Sequence, residues 1–296
     1  MSPKTVLMTG CSVGGIGAAV ASALAKQSHY IFATARKVTK IPEELTALPN
    51  VTILALDISS PESLAEAVNV VATSGRQLDV LFNNAGAGYS MPVLDIDIEK
   101  AKQVYEINVW GTLHVIQAFN SLLIQSKGRI INMSTCGAAV NTPWICTLLT
   151  SYLSSKAALT KLLEILRLEL SPFGVTVATG LGRVTVMAGV VDRKFHGNEP
   201  RFELPNRSLY AAIESIIAGW ASGKSKPGGC TAEQFAEMIV PDIVDSSKGG
   251  MPWRGPHAGG IKFLSYWLPN YCQDLAMSMN QELKELTNAI TSNSRQ

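Results

Sequence analysis

The sequence predicts an α/β fold with one doubly wound parallel β-sheet, and three observations lead to this prediction. Short apolar or β-branched runs alternate with helix-like stretches over the first two-thirds of the chain, as strands alternate with crossover helices in a parallel sheet. A glycine-rich stretch follows the first predicted strand. Polar residues follow several later strands, at the sheet edge where ligands bind in such folds.

Composition supports a globular enzyme-sized domain and excludes several other classes. Hydrophobic residues make up 47% of the 296 residues and charged residues 16%, so a large core is expected and disorder is not. The net charge is +2 without a basic run, which argues against a nucleic-acid partner. The five cysteines and four histidines are dispersed, so we expect neither a disulfide framework nor a metal site. No apolar run reaches the roughly 18 residues of a spanning helix and no signal peptide is recognisable, so we expect a cytoplasmic protein.

Six segments are predicted to be strands, because each is a short run of apolar and β-branched residues. They are residues 5–10, 30–36, 51–57, 78–86, 128–135 and 174–182. Helices are predicted between them at 16–27, 61–74, 98–125 and 152–170. After about residue 185 the pattern changes, and further helices are predicted at 208–222 and 231–245. Thr231 and Gln234 have the spacing of a capping box, which marks a helix start.

The glycine-rich stretch "TGCSVGGIGAAVASALA" predicts a phosphate-binding turn. Gly10, Gly15 and Gly17 let the backbone turn sharply and approach a pyrophosphate. The helix that begins near Ile16 then offers free N–H groups and the positive end of its dipole. An ordinary tight turn is the alternative, but the position between a first strand and an Ala-rich helix favours a dinucleotide site.

The end of the second predicted strand, "ATARK", indicates which dinucleotide binds. An acidic residue near this point holds the ribose 2′-hydroxyl of NAD, whereas an arginine accommodates the 2′-phosphate of NADP. Arg36, assisted by Lys37, therefore predicts NADP(H) as the cofactor. A solvated charge at a strand end is the alternative, but no Asp or Glu lies between Thr34 and Thr39.

With Asp57 closing "ILALD" in the third predicted strand and "NNAG" at the end of the fourth, the chain resembles the short-chain dehydrogenase/reductases over residues 4–185. The resemblance implies a Rossmann fold in which an acidic residue after the third strand meets the adenine ring. It also implies that Asn-Asn-Ala-Gly steadies the sheet beneath the cofactor. One extra residue precedes Gly15, and we expect Ser12 or Val13 to absorb it. The cofactor-binding residues that follow from the resemblance are Gly10, Ser12, Gly15, Ile16, Gly17, Asp57, Ile58, Asn84, Ala85 and Gly86.

The resemblance also implies a catalytic set of Asn108 in "YEINVWG" and Tyr152 and Lys156 in "YLSSK". Tyr152 and Lys156 are four residues apart on a predicted helix, so their side chains share one face. Free tyrosine has a pKa of about 10, which is high for proton transfer near neutral pH. A neighbouring ammonium group stabilises the phenolate and lowers that pKa. The same lysine is expected to hold the nicotinamide ribose, while the Asn108 carbonyl holds a water.

The fourth catalytic residue of the family is a serine at the end of the fifth strand, and here the chain departs from the pattern. "INMSTCGAAVNTP" places Thr135 at that position, with Ser134 one residue earlier and on the other side of an extended strand. The loop before Tyr152 is about four residues longer than usual, which gives a different register. We favour Thr135, keep Ser134 as the second choice, and note that both hydroxyls could instead satisfy local backbone groups.

The segment "TGLGRVTVM" also departs from the family, which has Pro-Gly after the sixth strand. Leu181 stands where the proline is expected. By resemblance, Val184 would contact the nicotinamide carboxamide and Thr185 would contact a phosphate. A plain turn from the strand into the lid is the alternative.

Residues 1–185 are predicted to form the dinucleotide-binding and catalytic core, and residues 186–296 a helical lid and C-terminal extension of the same domain. The tail, with "SYWLPNYC", is similar to fungal-type reductases related to 1-acyldihydroxyacetone-phosphate reductase. This resemblance implies reduction of a ketone or aldehyde on a bulky or apolar small molecule, either a lipid or a secondary metabolite.

Several alternatives stay open from the sequence. A non-redox isomerase or cyclase that binds NADP on the same fold would tolerate the unusual Thr135. A membrane-associated lipid-ketone reductase would use the apolar tail to contact a membrane or lipid droplet, although a tail packed on the core or on another subunit is favoured. A scaffold without turnover would leave the Asn, Tyr and Lys set unexplained. We also expect a homo-oligomer.

Overall fold

Parallel β-strands form the centre of the molecule. The computed structural model describes residues 2–142, 150–175, 185–192, 202–245, 251–279 and 281–293. Within these ranges seven strands pair in the order β3-β2-β1-β4-β5-β6-β9, and every pair is parallel. They are β1 Thr5–Met8, β2 Tyr30–Ala35, β3 Val51–Ala55, β4 Val80–Asn83, β5 Arg129–Thr135, β6 Thr185–Ala188 and β9 Trp253–Arg254. Two short strands, β7 Val191–Asp192 and β8 Cys230–Thr231, pair separately.

Helices cover both faces of this sheet, as a parallel sheet requires. In chain order they are α1 Ile16–Lys26, α2 Glu43–Thr46, α3 Pro61–Thr73, α4 Ile98–Tyr105, α5 Thr112–Ser126, α6 Thr150–Leu170, α7 Glu214–Ala221, α8 Ala232–Val244, α9 Ala258–Trp267, α10 Asn270–Ser278 and α11 Leu283–Asn293. On one face α1 and α8 share an apolar core with β1 and β2. On the other face α3, α5 and α6 pack over the same strands. The predicted doubly wound sheet is confirmed.

The predicted helices agree with the structure to within two residues at each end, except that the predicted helix 208–222 begins only at Glu214, after a 3-10 turn at Ala211–Ile213. Thr231 caps α8 by a capping box, in which its hydroxyl accepts from the Gln234 N–H and the Gln234 side chain accepts from the Thr231 N–H. The predicted helix 98–125 is interrupted by a π turn, Glu106–Gly111, between α4 and α5. A π turn holds one residue more than an α turn and is common at functional sites.

The sixth strand lies at a different place from the one predicted. The strand that pairs with β5 is Thr185–Ala188, in the register Asn132 to Thr185, and it begins three residues beyond the end of the predicted segment 174–182. The segments 143–149 and 176–184, which include the loop predicted to be lengthened, Leu181 and Val184, lie outside the described residues.

The C-terminal third completes the sheet and adds a helical layer. β9 pairs with β6 through Met187 and Trp253. α9 packs against the turn that follows β5, and the ring of Trp253 lies edge-on to Tyr266 with centroids 6.2 Å apart. None of the helices in the described ranges is long and apolar enough to cross a membrane.

Candidate active site

The glycine loop after β1 is packed so closely that side chains would not fit. Gly10 has φ +76°, and a Cβ added there would lie 2.9 Å from the Ala85 Cα. A Cβ on Gly17 would lie 2.5 Å from both Asn84 Nδ2 and the Gly10 carbonyl oxygen. The loop, the start of α1 and the end of β4 therefore meet without intervening side chains, which brings the backbone within reach of a ligand.

Polar bonds fix this loop to the end of β4. Asn84 Nδ2 donates to the carbonyl oxygens of Thr9, at 3.1 Å, and Gly10, at 3.0 Å. The buried Thr9 hydroxyl accepts from the N–H groups of Asn84 and Ala85, both at 3.0 Å. Sequence reasoning did not assign a role to Thr9. The feature of the sequence that could have pointed to Thr9 is its place in the Thr-Gly pair at the end of the first predicted strand.

The amino end of α1 has the features of a phosphate site. Gly15 is its N-cap and provides no side-chain cap, so the first N–H groups of the helix are left for another acceptor. Gly15 N–H itself donates to the Ser12 carbonyl at 3.1 Å. The Ile16 side chain is buried in the core, so only its backbone can contact a ligand.

The residues predicted to distinguish NADP from NAD lie after the ends of β2 and β3. Arg36 and Lys37 are exposed, and neither side chain forms a salt bridge with any part of the chain that the structure describes. Asp57 is half-buried, and its Oδ1 accepts from the Ser59 N–H at 3.0 Å. Ile58 is buried against Gly111, so its side chain is part of the core.

These residues fit a nicotinamide dinucleotide. A crowded glycine loop leads into an uncapped helix, two exposed cations follow β2, and an acidic side chain follows β3. Together they match a pyrophosphate, a 2′-phosphate and an adenosine, in the order in which such a cofactor would cross the sheet edge.

Tyr152 and Lys156 lie on one face of α6 and are both buried, at 5% and 3% exposure. Lys156 Nζ lies 5.8 Å from the centroid of the Tyr152 ring. The same ammonium group donates to the Met133 carbonyl on β5 at 2.9 Å. A Cβ added to Gly86 would lie 3.6 Å from Lys156 Nζ. The cation is therefore held between the phenol and the ends of β4 and β5.

Asn108 connects three elements from within the π turn, where it is fully buried. Its Oδ1 accepts from the Ala87 N–H at 2.8 Å, and its Nδ2 donates to the Ala87 carbonyl at 2.9 Å. Nδ2 also donates to Ser155 Oγ at 2.9 Å. The Asn108 carbonyl, which was expected to hold a water, accepts from the Thr112 hydroxyl at 3.0 Å and has a second lone pair.

Ser155 is a site residue that sequence reasoning missed. It is fully buried, accepts from Asn108, and donates to the Tyr152 carbonyl at 2.6 Å. It therefore joins the π turn to the turn of α6 that carries Tyr152. The sequence signal was its position beside Lys156, but its partner lies 47 residues away.

The two hydroxyls at the end of β5 have different surroundings. Ser134 is buried, and its Oγ lies 3.2 Å from Thr160 Oγ1 on α6. Thr135 is half-buried at the carboxyl end of the strand, where its hydroxyl accepts from the Gly137 N–H at 3.3 Å and lies 3.5 Å from the Ala188 carbonyl. Thr135 is thus at the ligand edge of the sheet, while Ser134 already has a side-chain partner.

The assignment of Thr185 to a phosphate contact needs correction. Thr185 is the first residue of β6, 2% exposed and opposite Asn132, so it lies below the ligand edge of the sheet. That edge is reached at Ala188, and Gly189 follows with its N–H donating to the Arg254 carbonyl at 2.8 Å. A Cβ on Gly189 would lie 2.0 Å from the Pro256 carbonyl oxygen. The carboxyl end of β6 therefore lies at Ala188, three residues beyond Thr185.

Titratable groups elsewhere do not form a metal centre in the described ranges, where no group of three or more His, Cys, Asp or Glu side chains could hold an ion. Cys136, beside Thr135, is buried, and burial raises the pKa of its thiol to about 11. Burial also raises the pKa of Cys11 in the glycine loop to about 12. Both thiols are therefore neutral at physiological pH.

The sequence is similar to those of known enzymes. A sequence model of the family described as short chain dehydrogenase matches residues 4–193. The short-chain dehydrogenase ptmH of Penicillium ochrochloron is 39% identical, over 93% of this chain and 97% of that protein. The NADPH-dependent 1-acyldihydroxyacetone phosphate reductase of Schizosaccharomyces pombe is 33% identical, over 89% of this chain and 85% of that protein.

Solved structures share the fold. A short chain dehydrogenase from Burkholderia cenocepacia in complex with NADP superposes with a TM-score of 0.68 at 24% identity, over 90% of this chain and 94% of that one. A short-chain dehydrogenase from Streptomyces avermitilis gives 0.71 at 24% identity, over 88% and 91%. With the sheet order, the glycine loop and the buried tyrosine and lysine, the sequence matches establish that this chain belongs to the short-chain dehydrogenase family of oxidoreductases, which use a nicotinamide cofactor.

Proposed function

We propose that this protein is an NADP(H)-dependent reductase that interconverts a ketone or aldehyde and an alcohol on a bulky, apolar small molecule. One observation carries the proposal. A buried phenol and a buried ammonium group share one helix face, with Lys156 Nζ 5.8 Å from the Tyr152 ring centroid, at the carboxyl edge of the sheet beside the glycine loop.

Each side chain then has a defined task. A bound nicotinamide dinucleotide supplies or accepts the hydride. Tyr152 gives its hydroxyl proton to the carbonyl oxygen during reduction and takes it back during oxidation. Lys156 stabilises the phenolate by its positive charge. Thr135 donates a hydrogen bond to the substrate oxygen and so orients the carbonyl, while Asn108 keeps the π turn and α6 together.

The preference for NADP(H) rests on Arg36 and Lys37. Both are exposed and without a salt bridge among the described residues, so their charges are available to a 2′-phosphate. Asp57 follows β3 rather than β2, and it is assigned to the adenosine. The NADPH-dependent relative in Schizosaccharomyces pombe supports the same preference.

The apolar nature of the substrate is inferred from the surroundings of Tyr152. This tyrosine shares a hydrophobic cluster with side chains from the β4–α4 connection, from α4, from α6 and from the segment before α7. The cluster members are Tyr89, Met91, Ile96, Val104, Leu153, Phe202 and Leu204. A carbonyl that reaches Tyr152 would lie against this surface, which favours apolar groups over charged ones.

The direct test follows NADPH absorbance with a panel of apolar ketones and aldehydes. We expect turnover with the wild-type protein and none with Tyr152→Phe, which keeps the ring and removes the proton. Tyr271→Phe, at an exposed position (73%), is the matched control and should retain full activity. Turnover of Tyr152→Phe near the wild-type rate would refute the mechanism. Product formation without any change in NADPH would instead identify a non-redox isomerase or cyclase.

Cofactor choice is tested separately with Arg36→Asp. This change should move the ratio of kcat/KM values from NADPH towards NADH, because the guanidinium that pairs with the 2′-phosphate is replaced by a carboxylate that repels it. Lys224→Asp makes the same change of charge at an exposed position and should leave the ratio unchanged. An unaltered preference in Arg36→Asp would refute the assignment of Arg36.

A further inference from the structure

We propose that the C-terminal helix α11 braces the substrate lid, and that Leu286 is a positioning residue which acts on the active site through Phe202. The lid is defined here as residues 202–213, the segment that leads into α7. This inference rests on the proposed function, since it assigns the lid a part in binding the bulky ketone.

Leu286 is the contact between the tail and the lid. It is half-buried on α11 and packs against a cluster centred on Ile213 and Ile217, whose side chains are fully buried. Tyr210 and Trp220 belong to the same cluster. The first turn of α11 therefore lies on the end of the lid and on α7.

Phe202 joins this cluster to the catalytic tyrosine. It packs against the Ile213 cluster on one side and against the Tyr152 cluster on the other. Leu204, two residues on, packs against the Tyr152 cluster as well. A continuous set of apolar contacts thus runs from Leu286 through the lid to the proton donor.

A polar contact fixes the opposite side of the lid. Ser208 Oγ donates to Asp95 Oδ2 at 2.6 Å and accepts from the Tyr210 N–H at 3.1 Å. Asp95 belongs to the β4–α4 connection, which also carries Tyr89 and Met91. The lid is therefore held between this connection and α11, so both supports set the position of Phe202.

Two apolar side chains on the same side of α11, Leu286 and Ile290, differ in their contacts with the rest of the chain. A helix of 11 residues is marginal in isolation and depends on its contacts. Leu286 faces the lid, whereas Ile290, one turn further along, is 57% exposed. The two positions carry side chains of equal size on one helix, and they provide a matched pair for experiment.

The experiment compares Leu286→Ala with Ile290→Ala in the full-length protein, using a bulky apolar ketone and NADPH. Loss of the brace should raise the KM for the ketone about fivefold or more, while the KM for NADPH stays unchanged because its binding residues follow β1, β2 and β3. Ile290→Ala should match the wild type in both constants. The variant Leu286→Met should keep the wild-type KM for the ketone, because methionine has nearly the same volume as leucine.

Coupling through Phe202 is tested by a double mutant. The effects of Phe202→Ala and Leu286→Ala on the KM for the ketone should combine less than additively in the double mutant, since each change alone breaks the same set of contacts. Strict additivity would show that Leu286 does not act through Phe202. Equal rises in both KM values for Leu286→Ala would indicate general destabilisation and would overturn the proposal, as would behaviour identical to Ile290→Ala.

Hydrogen exchange of peptides within 202–213 provides a readout that needs no turnover. Leu286→Ala should speed exchange in these peptides and Ile290→Ala should not. If the wild-type protein failed to oxidise NADPH with every ketone tried, the proposed function would fail. Faster lid exchange in Leu286→Ala would still support the brace. Unchanged lid exchange together with an active wild type would overturn the brace alone.

Discussion

Gly17→Ala should weaken both the fold and dinucleotide binding, because no room exists for one added methyl group. The new Cβ would lie 2.5 Å from Asn84 Nδ2 and 2.5 Å from the Gly10 carbonyl oxygen. Atoms do not approach so closely, so α1, the glycine loop or the Asn84 side chain must move. Each of these elements belongs to the proposed phosphate site.

The magnitude follows from two contributions. Overpacking of a closely packed site costs about 1–3 kcal/mol. Displacing Asn84 also weakens its two hydrogen bonds, to Thr9 and Gly10, each worth about 1 kcal/mol. We therefore expect a loss of roughly 2–4 kcal/mol in the free energy of unfolding. Since a domain of this size loses roughly 2–4 °C in Tm per kcal/mol, a fall of roughly 4–16 °C is expected.

Two assays check this result, thermal unfolding for stability and titration with NADPH for affinity. The Kd should rise about tenfold or more, as expected if 1.4 kcal/mol or more of binding energy is lost with the loop geometry. Unchanged Tm and unchanged Kd in Gly17→Ala would refute the close packing on which the site description depends.

Glycine-to-alanine changes at two uncrowded positions provide controls, because they alter the backbone preference without a steric clash. Gly75 has φ +70° and no described atom within 4 Å of an added Cβ, so Gly75→Ala should cost only the backbone strain, about 1–2 kcal/mol, and leave NADPH binding intact. Gly259, in α9, has an ordinary φ and equally open surroundings among the described residues. Gly259→Ala should therefore stabilise the helix by about 0.5–1 kcal/mol.

Two further predictions concern buried groups near the site. Ser155→Ala should cost about 1–3 kcal/mol and lower kcat more than it raises the KM for NADPH, because Asn108 Nδ2 loses an acceptor and the turn carrying the proton donor loosens. Ser154→Ala, which removes a local hydroxyl contact, should leave kcat unchanged, and equal effects of the two variants in steady-state kinetics would contradict this reasoning. Burial raises the pKa of Cys136 to about 11, so the reactive thiolate is scarce at pH 8, and iodoacetamide should label the less buried Cys272 first. Peptide mass spectrometry would reveal the order, and equally fast labelling of Cys136 would oppose the prediction.

The first five strands could be predicted because each is a short apolar run that ends at polar or glycine residues. The sixth could not, because two apolar β-branched stretches, 174–178 and 184–188, follow each other with only "TGLGR" between them. Local propensity favours both equally. The choice is made by pairing with β5, where Asn132 lies opposite Thr185, and this long-range contact leaves no local signal.

Within the site, residues in contiguous motifs were recognisable and residues with distant partners were not. Tyr152 and Lys156 are one helical turn apart, so the sequence alone places them together. Thr9 has partners 75 and 76 residues away in the chain, and a hydroxyl of this kind resembles any other threonine until the fold is known. Phe202 was missed for a related reason, since it precedes the predicted helix 208–222 and the side chains that it contacts come from other parts of the chain.

The π turn sets a limit on how this protein can vary in length. Because a π turn holds one residue more than an α turn, removing a single residue from Glu106–Gly111 would convert it into a regular helix and keep α4 and α5 in register. The widened turn that presents Asn108 to Ala87 and Ser155 would then be lost. A deletion here would therefore spare the fold but remove the position of Asn108, whereas the surface connections can change in length without this effect.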